Sequence, residues 1–157
     1  MENLREVFES LEQAPAFFRK LAQGYPDEDL RWKPSSDHFS FVENACHLRD
    51  IELEGYGTRI RKLLTESHPQ LPDLDGARLA RERDYNTQDF GAAIDEFARA
   101  RAENLRAVSG LSVEQLNRTG VLEGVGEITL GKLLLLMHEH DRAHRKELVE
   151  LRARMRN

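Results

Sequence analysis

Toward the C-terminal end of the chain stands His138-Glu139-His140-Asp141-Arg142-Ala143-His144. In a helix, residues four apart stack one turn above each other, so His140 and His144 share a face and their imidazoles can share a metal ion. Met137, Leu148 and Leu151 place His144 within an apolar stripe and His140 at its edge, where leucine would ordinarily stand. An inward imidazole costs free energy unless its ring nitrogens find partners, which points to a metal, a hydrogen-bonded network or a catalytic base. The other arrangement open to the pair is half-exposure at a bundle rim, held by acids such as Glu147 or Asp50. His138 turns away from the stripe and reads as a surface residue.

Two histidines rarely hold a divalent ion tightly, and catalytic sites combine three protein ligands with open positions. His47 is the candidate third ligand. Periodicity gives it no help: the main stripe of its helix (Val42, Ala45, Cys46, Leu53, Tyr56, Ile60, Leu63) lies almost opposite, and by pattern alone His47 is exposed. Asp50 follows His47 by three residues and Asp141 follows His140 directly, so either could take the second N–H of a ligand imidazole, and only Asp50 has the one-turn spacing. Alternatively Asp50 is a solvated partner of Arg49 or Lys146. Cys46 falls on the apolar stripe and reads as a core thiol. His38 and His68 sit in connecting segments and read as surface residues.

Helical periodicity supplies the elements that must position these residues. Leu4, Val7, Phe8, Leu11, Ala14, Phe18 and Leu21 recur at spacings of three and four, predicting a helix from Glu2 to about Gln23 that Pro15 should disturb. Ser40 and Glu43 form a capping-box pattern that opens a second helix running to about Glu66. A third helix is predicted from about Gln88 to Ser109, capped by Thr87 or Asn86, and a fourth from near Thr129 to Asn157. Ser112 and Gln115 open a short turn, and the Gly-rich stretch from Gly120 to Gly126 is not assigned to a strand. The segment from His68 to Thr87 is long for a link between bundle neighbours, and its length suits a crossover between parallel helices. The expectation is an all-α four-helix bundle, one domain over residues 1–157.

With 23 basic and 28 acidic residues the net charge is −5 and the pI near 5.7, which argues against a nucleic-acid or anionic-membrane partner. The longest apolar run, Leu133 to Met137, is far too short to span a bilayer. An N-terminus of mixed charge and a single cysteine, Cys46, fit a cytoplasmic protein.

In motif and order the residues resemble the DinB-like (YfiT/DinB) superfamily of bacterial proteins. Trp32-Lys33-Pro34, then Ser40-Phe41-Val42-Glu43-Asn44-Ala45-Cys46-His47-Leu48-Arg49-Asp50-Ile51-Glu52, are similar to its second-helix signature. Leu71-Pro72, Phe97 with Arg101, and His140-Asp141-Arg142-Ala143-His144 before Leu148 resemble its later landmarks, with Ala143 where relatives often carry a further histidine. The resemblance implies a four-helix bundle of up-down-down-up connectivity, and one divalent ion, zinc or nickel, held by His47, His140 and His144. It also implies a homodimer. Among the activities it suggests, thiol S-transfer from a low-molecular-weight thiol to an electrophile leads, with a pocket lined by Trp32, Phe39 and Tyr56. The alternatives are hydrolysis by activated water and a metal-binding stress-response bundle without turnover. No catalytic side chain beyond the ligands stands out.

Overall fold

A computed structural model describes residues 3–155. In chain order the elements are α1 (Leu4–Ala22), the short α2 (Asp27–Leu30), α3 (Phe41–Asp50), a π-helical segment (Ile51–Tyr56) and α4 (Gly57–Thr65). Then come β1 (Gln70–Leu71), α5 (Gly76–Glu82), a 3-10 turn (Tyr85–Thr87), α6 (Phe90–Val108), α7 (Val113–Leu116), β2 (Thr119–Leu122), β3 (Gly126–Thr129) and α8 (Leu130–Met155). Because α3, the π segment and α4 are continuous, the chain has the four long helical stretches that its periodicity predicts.

The capping box of Ser40 and Glu43 is formed, each side chain bonding the other's backbone N–H. At α6 the cap is Asp89, whose carboxylate accepts from the Ala92 N–H. Thr87 and Asn86 are unavailable for that role because they belong to the preceding 3-10 turn. Pro15 is buried inside an unbroken α1. Having no N–H, it leaves the Leu11 carbonyl one turn earlier without its helical partner, and that oxygen is used elsewhere.

The stretch around Gly120 is not a loop. Thr119 to Leu122 pairs antiparallel with Gly126 to Thr129, and Val121 and Leu122 pair parallel with Gln70 and Leu71. Alternating burial along β2, with Gly120 and Leu122 inside, is the half-buried strand pattern, compressed into four residues and hard to see in sequence. Gly124 (φ 80°) makes the turn in the left-handed region that favours glycine.

Phe41 packs on Phe90, ring centroids 6.3 Å apart, while further along both helices Gly57 meets Asn104. Contacts thus advance in step along α3/α4 and α6. The apolar interior falls into two clusters. One gathers Phe18, Phe41, Leu48, Phe97 and Leu148; the other Leu11, Ile60, Leu63, Leu133 and Met137. Between them lies a layer of buried polar side chains: Glu52, Arg101, Asp141 and His144. Among the described residues, no helix is long and apolar enough to cross a membrane.

Candidate metal centre

His47 leaves α3, and His140 and His144 leave α8, and their rings meet in the polar layer. The His140 Nε2 lies 3.2 Å from the His47 Nε2 and 3.2 Å from the His144 Nε2. One ligating nitrogen from each ring lies within 4.8 Å of the others. A ring nitrogen offers either one proton or one lone pair, so His140 Nε2 can satisfy only one of its two neighbours by hydrogen bonding. A cation satisfies all three. Zinc–nitrogen bonds of about 2.0–2.1 Å at tetrahedral angles place ligand nitrogens about 3.3 Å apart, which the two 3.2 Å separations match.

Burial and the neighbouring His144 push the His47 imidazole down to about 4. Burial, then His144 and His47, hold His140 well below the ordinary histidine range. Near neutral pH both rings are therefore uncharged, and their lone pairs need lose no proton before binding a metal.

The second nitrogens are treated differently. His144 Nδ1 lies 2.8 Å from Asn44 Oδ1, whose amide donates in turn to the Ser40 carbonyl at 3.0 Å. That chain makes Nδ1 the protonated nitrogen and turns the Nε2 lone pair inward. Glu147 lies 3.3 Å from the same nitrogen; burial would raise its carboxyl, but donation from His144 and Asn44 outweighs this and holds it below the usual range. His47 Nδ1 is buried with no hydrogen-bond partner. Packing fixes this ring instead: Phe39 lies 5.7 Å away on one side, and Gly76, opening α5, covers it. A Cβ at Gly76 would come within 2.8 Å of His47 Cε1 and 2.9 Å of Nδ1, so only glycine lets α5 lie so close.

Asp50 takes the second of the two parts open to it, as a partner of Arg49, though buried rather than solvated. Its carboxylate is held by Arg49 at 2.8 Å, Arg83 at 2.9 Å and the Tyr85 hydroxyl, and is kept below the usual range by those donors against the rise that burial would cause. The carboxylate thus ties Arg83 and Tyr85, in the connection before α6, to the end of α3, and Asn44 is the residue that orients an imidazole. Asp141 is equally engaged elsewhere. Its two oxygens accept from Arg101 Nη1 and Nη2 at 2.7 and 3.0 Å, while Glu52 accepts from Nε and Nη2 at 2.9 Å each and Leu11 O from Nη1 at 2.8 Å. All five guanidinium protons are used, one of them on the carbonyl that Pro15 leaves open. This clasp joins all four long helical stretches within one residue of His140.

Residues 10–148 match the DinB superfamily. The chain belongs to that superfamily. No curated protein matches it. Among solved structures, YfiT from Bacillus subtilis, described as a probable metal-dependent hydrolase with an unusual four-helix bundle topology, is similar with a TM-score of 0.88. Its sequence identity is 21%, over 96% of this chain and 86% of that one, which shows a common fold.

In this DinB superfamily member the surroundings of the histidines are partly those expected. Tyr56, only 7% exposed, sets its ring edge-on to His140 at 5.9 Å, and Phe39 meets His47. Trp32 lies elsewhere, 42% exposed in a groove with Asp29, Arg154 and Met155. Cys46 is a core thiol beside the Tyr85 carbonyl, pushed by burial to about 11. His38 and His68 are exposed. Sequence reasoning missed Asn44, Gly76 and the clasp; the repeated Asn, Ser and Arg types carried no spacing signal, because their partners lie on other helices.

Proposed function

We propose that this chain is a metal-dependent enzyme joining a low-molecular-weight thiol to an electrophile, with His47, His140 and His144 holding one zinc or nickel ion. The convergence of three Nε2 atoms carries the reading. A divalent ion bound there would supply Lewis acidity and lower the pKa of a thiol or water beside it. The chain does the rest. Asn44 fixes the His144 tautomer, Gly76 and Phe39 clamp His47, and Tyr56 walls the cluster on the His140 side. In the reaction the thiol loses its proton to solvent, its sulfur bonds to the electrophilic carbon, and the leaving group departs with the electron pair of the broken bond.

Thiol transfer needs no general base once the sulfur is ionised, whereas attack by water calls for one within reach. Asp50, Glu52 and Asp141 are each occupied by protein donors, which favours the thiol. Hydrolysis is the second reading, favoured by the description of the YfiT fold relative. The contacts that advance in step along α3/α4 and α6 support an up-down-down-up order of the helices.

Elemental analysis of protein purified without added metal tests the centre. About one divalent ion per chain is expected, and little in folded His47→Ala, His140→Ala and His144→Ala variants. A parent that takes up neither zinc nor nickel on reconstitution sinks the reading. Conjugation of thiols to chlorinated aromatics, run beside ester and amide hydrolysis, then separates the two chemistries.

A further inference from the structure

The long connection after α4 does not cross the bundle at a distance. Arg59 donates from Nε and Nη2 to the Pro72 carbonyl at 3.3 and 3.1 Å, Leu74 lies over Gly55, and Gly76 lies over His47. Residues 72–76 therefore form a strap running back along the second long helix toward the histidines. Tyr56 sits under this strap, between Arg59 and His140. The Arg59 guanidinium carbon lies 5.4 Å from the centre of the Tyr56 ring, and that ring is 5.9 Å from His140.

Two donors in this wall are unspent. The Arg59 side chain is only 6% exposed, yet its Nη1 has no hydrogen-bond partner among the described residues, unlike Arg101, whose every proton is taken. The Tyr56 hydroxyl likewise has none. Neither atom is among the side-chain atoms sealed from solvent without a partner, so each keeps some contact with solvent. Gly55 leaves the space next to Nη1: a Cβ there would lie 3.6 Å from it. A nearly buried guanidinium with an open N–H edge beside a phenol is a pair of donors without an acceptor, which matches a carboxylate. Asp73, 68% exposed, already brings a carboxylate oxygen to 3.4 Å from Nη2 on the strap side. A phosphate dianion would call for more than one cation, and the neighbouring clasp holds two carboxylates against one guanidinium.

We propose that Tyr56 and Arg59 form a subsite for a substrate carboxylate, so that the thiol this protein uses is an acidic one, its carboxylate a few bonds from the sulfur. The assignment rests on the metal-centre reading for its purpose, and on the two unspent donors for its location.

The test has two arms. Cobalt-loaded protein is titrated with 3-mercaptopropionate and with 3-mercaptopropanol, reading affinity from the cobalt absorption. The acid should bind about tenfold tighter, the increment of one charge-assisted hydrogen bond. Arg59→Gln should erase that preference, and Tyr56→Phe, which keeps the packing, should reduce it severalfold. In the second arm, propionate is titrated into metal-free protein by NMR; shifts at Tyr56 and Arg59 that disappear in Arg59→Gln are expected. Failure to bind cobalt would sink the metal centre while the propionate arm still decides the subsite. Equal affinity for acid and alcohol on loaded protein, or propionate binding unaffected by both substitutions, would overturn the subsite itself.

Discussion

Two buried polar groups lie side by side in the layer between the apolar clusters, and they are finished to different degrees. In the clasp, Arg101 (2% exposed) gives five hydrogen bonds to Glu52, Asp141 and the Leu11 carbonyl, and Asn104 adds another to Glu52. In the histidine cluster three nitrogens crowd together with more lone pairs and protons than they can pair, and His47 Nδ1 has no partner. A native interior satisfies its polar groups wherever it can. A network complete in itself holds the helices in place; one that is incomplete in the same layer marks where something else is meant to bind. The contrast also assigns labour, since the clasp fixes how far the second helix stands from α8, and hence the His47 to His140 spacing.

The largest effect should come from breaking the finished group. Arg101→Met leaves two carboxylates buried without their cation, and removal of one partner from a buried ion pair costs about 3–5 kcal/mol; urea unfolding measures it. A loss under about 1 kcal/mol would mean that the clasp relaxes to water and that the two groups do not differ as described.

Acid should strike the histidines next. His47 is held near 4 against about 6.5 in an unfolded chain. Above pH ~6.5 neither state takes a proton there and stability is unaffected. As pH falls through that value the unfolded chain gains a proton that the folded chain refuses, so metal-free protein should lose roughly 2–4 kcal/mol by pH ~4 from this residue. Thermal melts against pH should show the decline, and His47→Leu should make it shallower, leaving the part that the equally buried His140 contributes. A parent profile that stays level from pH 7 to 4 would remove the neutral, buried imidazole.

Asn44→Ala sharpens the comparison within the metal centre. Loss of an orienting partner commonly costs about 10–100-fold in metal affinity, whereas Asp50→Asn should lower stability and leave metal affinity unchanged, because its partners are Arg49, Arg83 and Tyr85. Competition against a metallochromic chelator reads both. The reverse ranking would return to Asp50 the part that Asn44 plays here. Smallest is Gly76→Ala: the added methyl must displace the His47 ring or the start of α5 at a cost of about 1 kcal/mol, weakening metal binding severalfold and lowering the melting temperature by about 2–4 °C.

Much of this was legible in the residues. The stripes of α1, α6 and α8 predicted their helices, Ser40 and Glu43 marked a true start, and the spacing of His140 and His144 marked a shared face. His47 was named as a ligand, but its inward direction was not legible from periodicity, because Phe41 through Cys46 are buried at six consecutive positions, and a helix packed on every side has no polar face from which to judge. Leu53 belonged by period to the buried stripe and is 44% exposed, while Glu52 is 1% exposed. The cause is the π segment, whose wider turn breaks the 3.6-residue count on which the pattern depends. The clasp lay hidden for another reason: its four members come from distant stretches, and no local rule pairs them. Strands of two and four residues leave too few alternations to read.

The same π segment gives the second helix a residue that it can lose. Its six residues, Ile51 to Tyr56, carry about one more than α-helical winding would use over the same rise, so the two halves of the helix are each in phase with their own part of the interior and out of phase with each other. Excising one residue there, the outward-facing Leu53 for instance, would allow unbroken α-winding with both halves still in place, because six residues on the wider turn sweep about the angle that five sweep at roughly 100° each. His47 and the pair Ile60 and Leu63 would keep their directions. Deletion of Leu53 should therefore be tolerated where deletion of one residue from the middle of α6, which turns half of that helix by about 100°, is not; a deep mutational scan that includes deletions would display the difference directly.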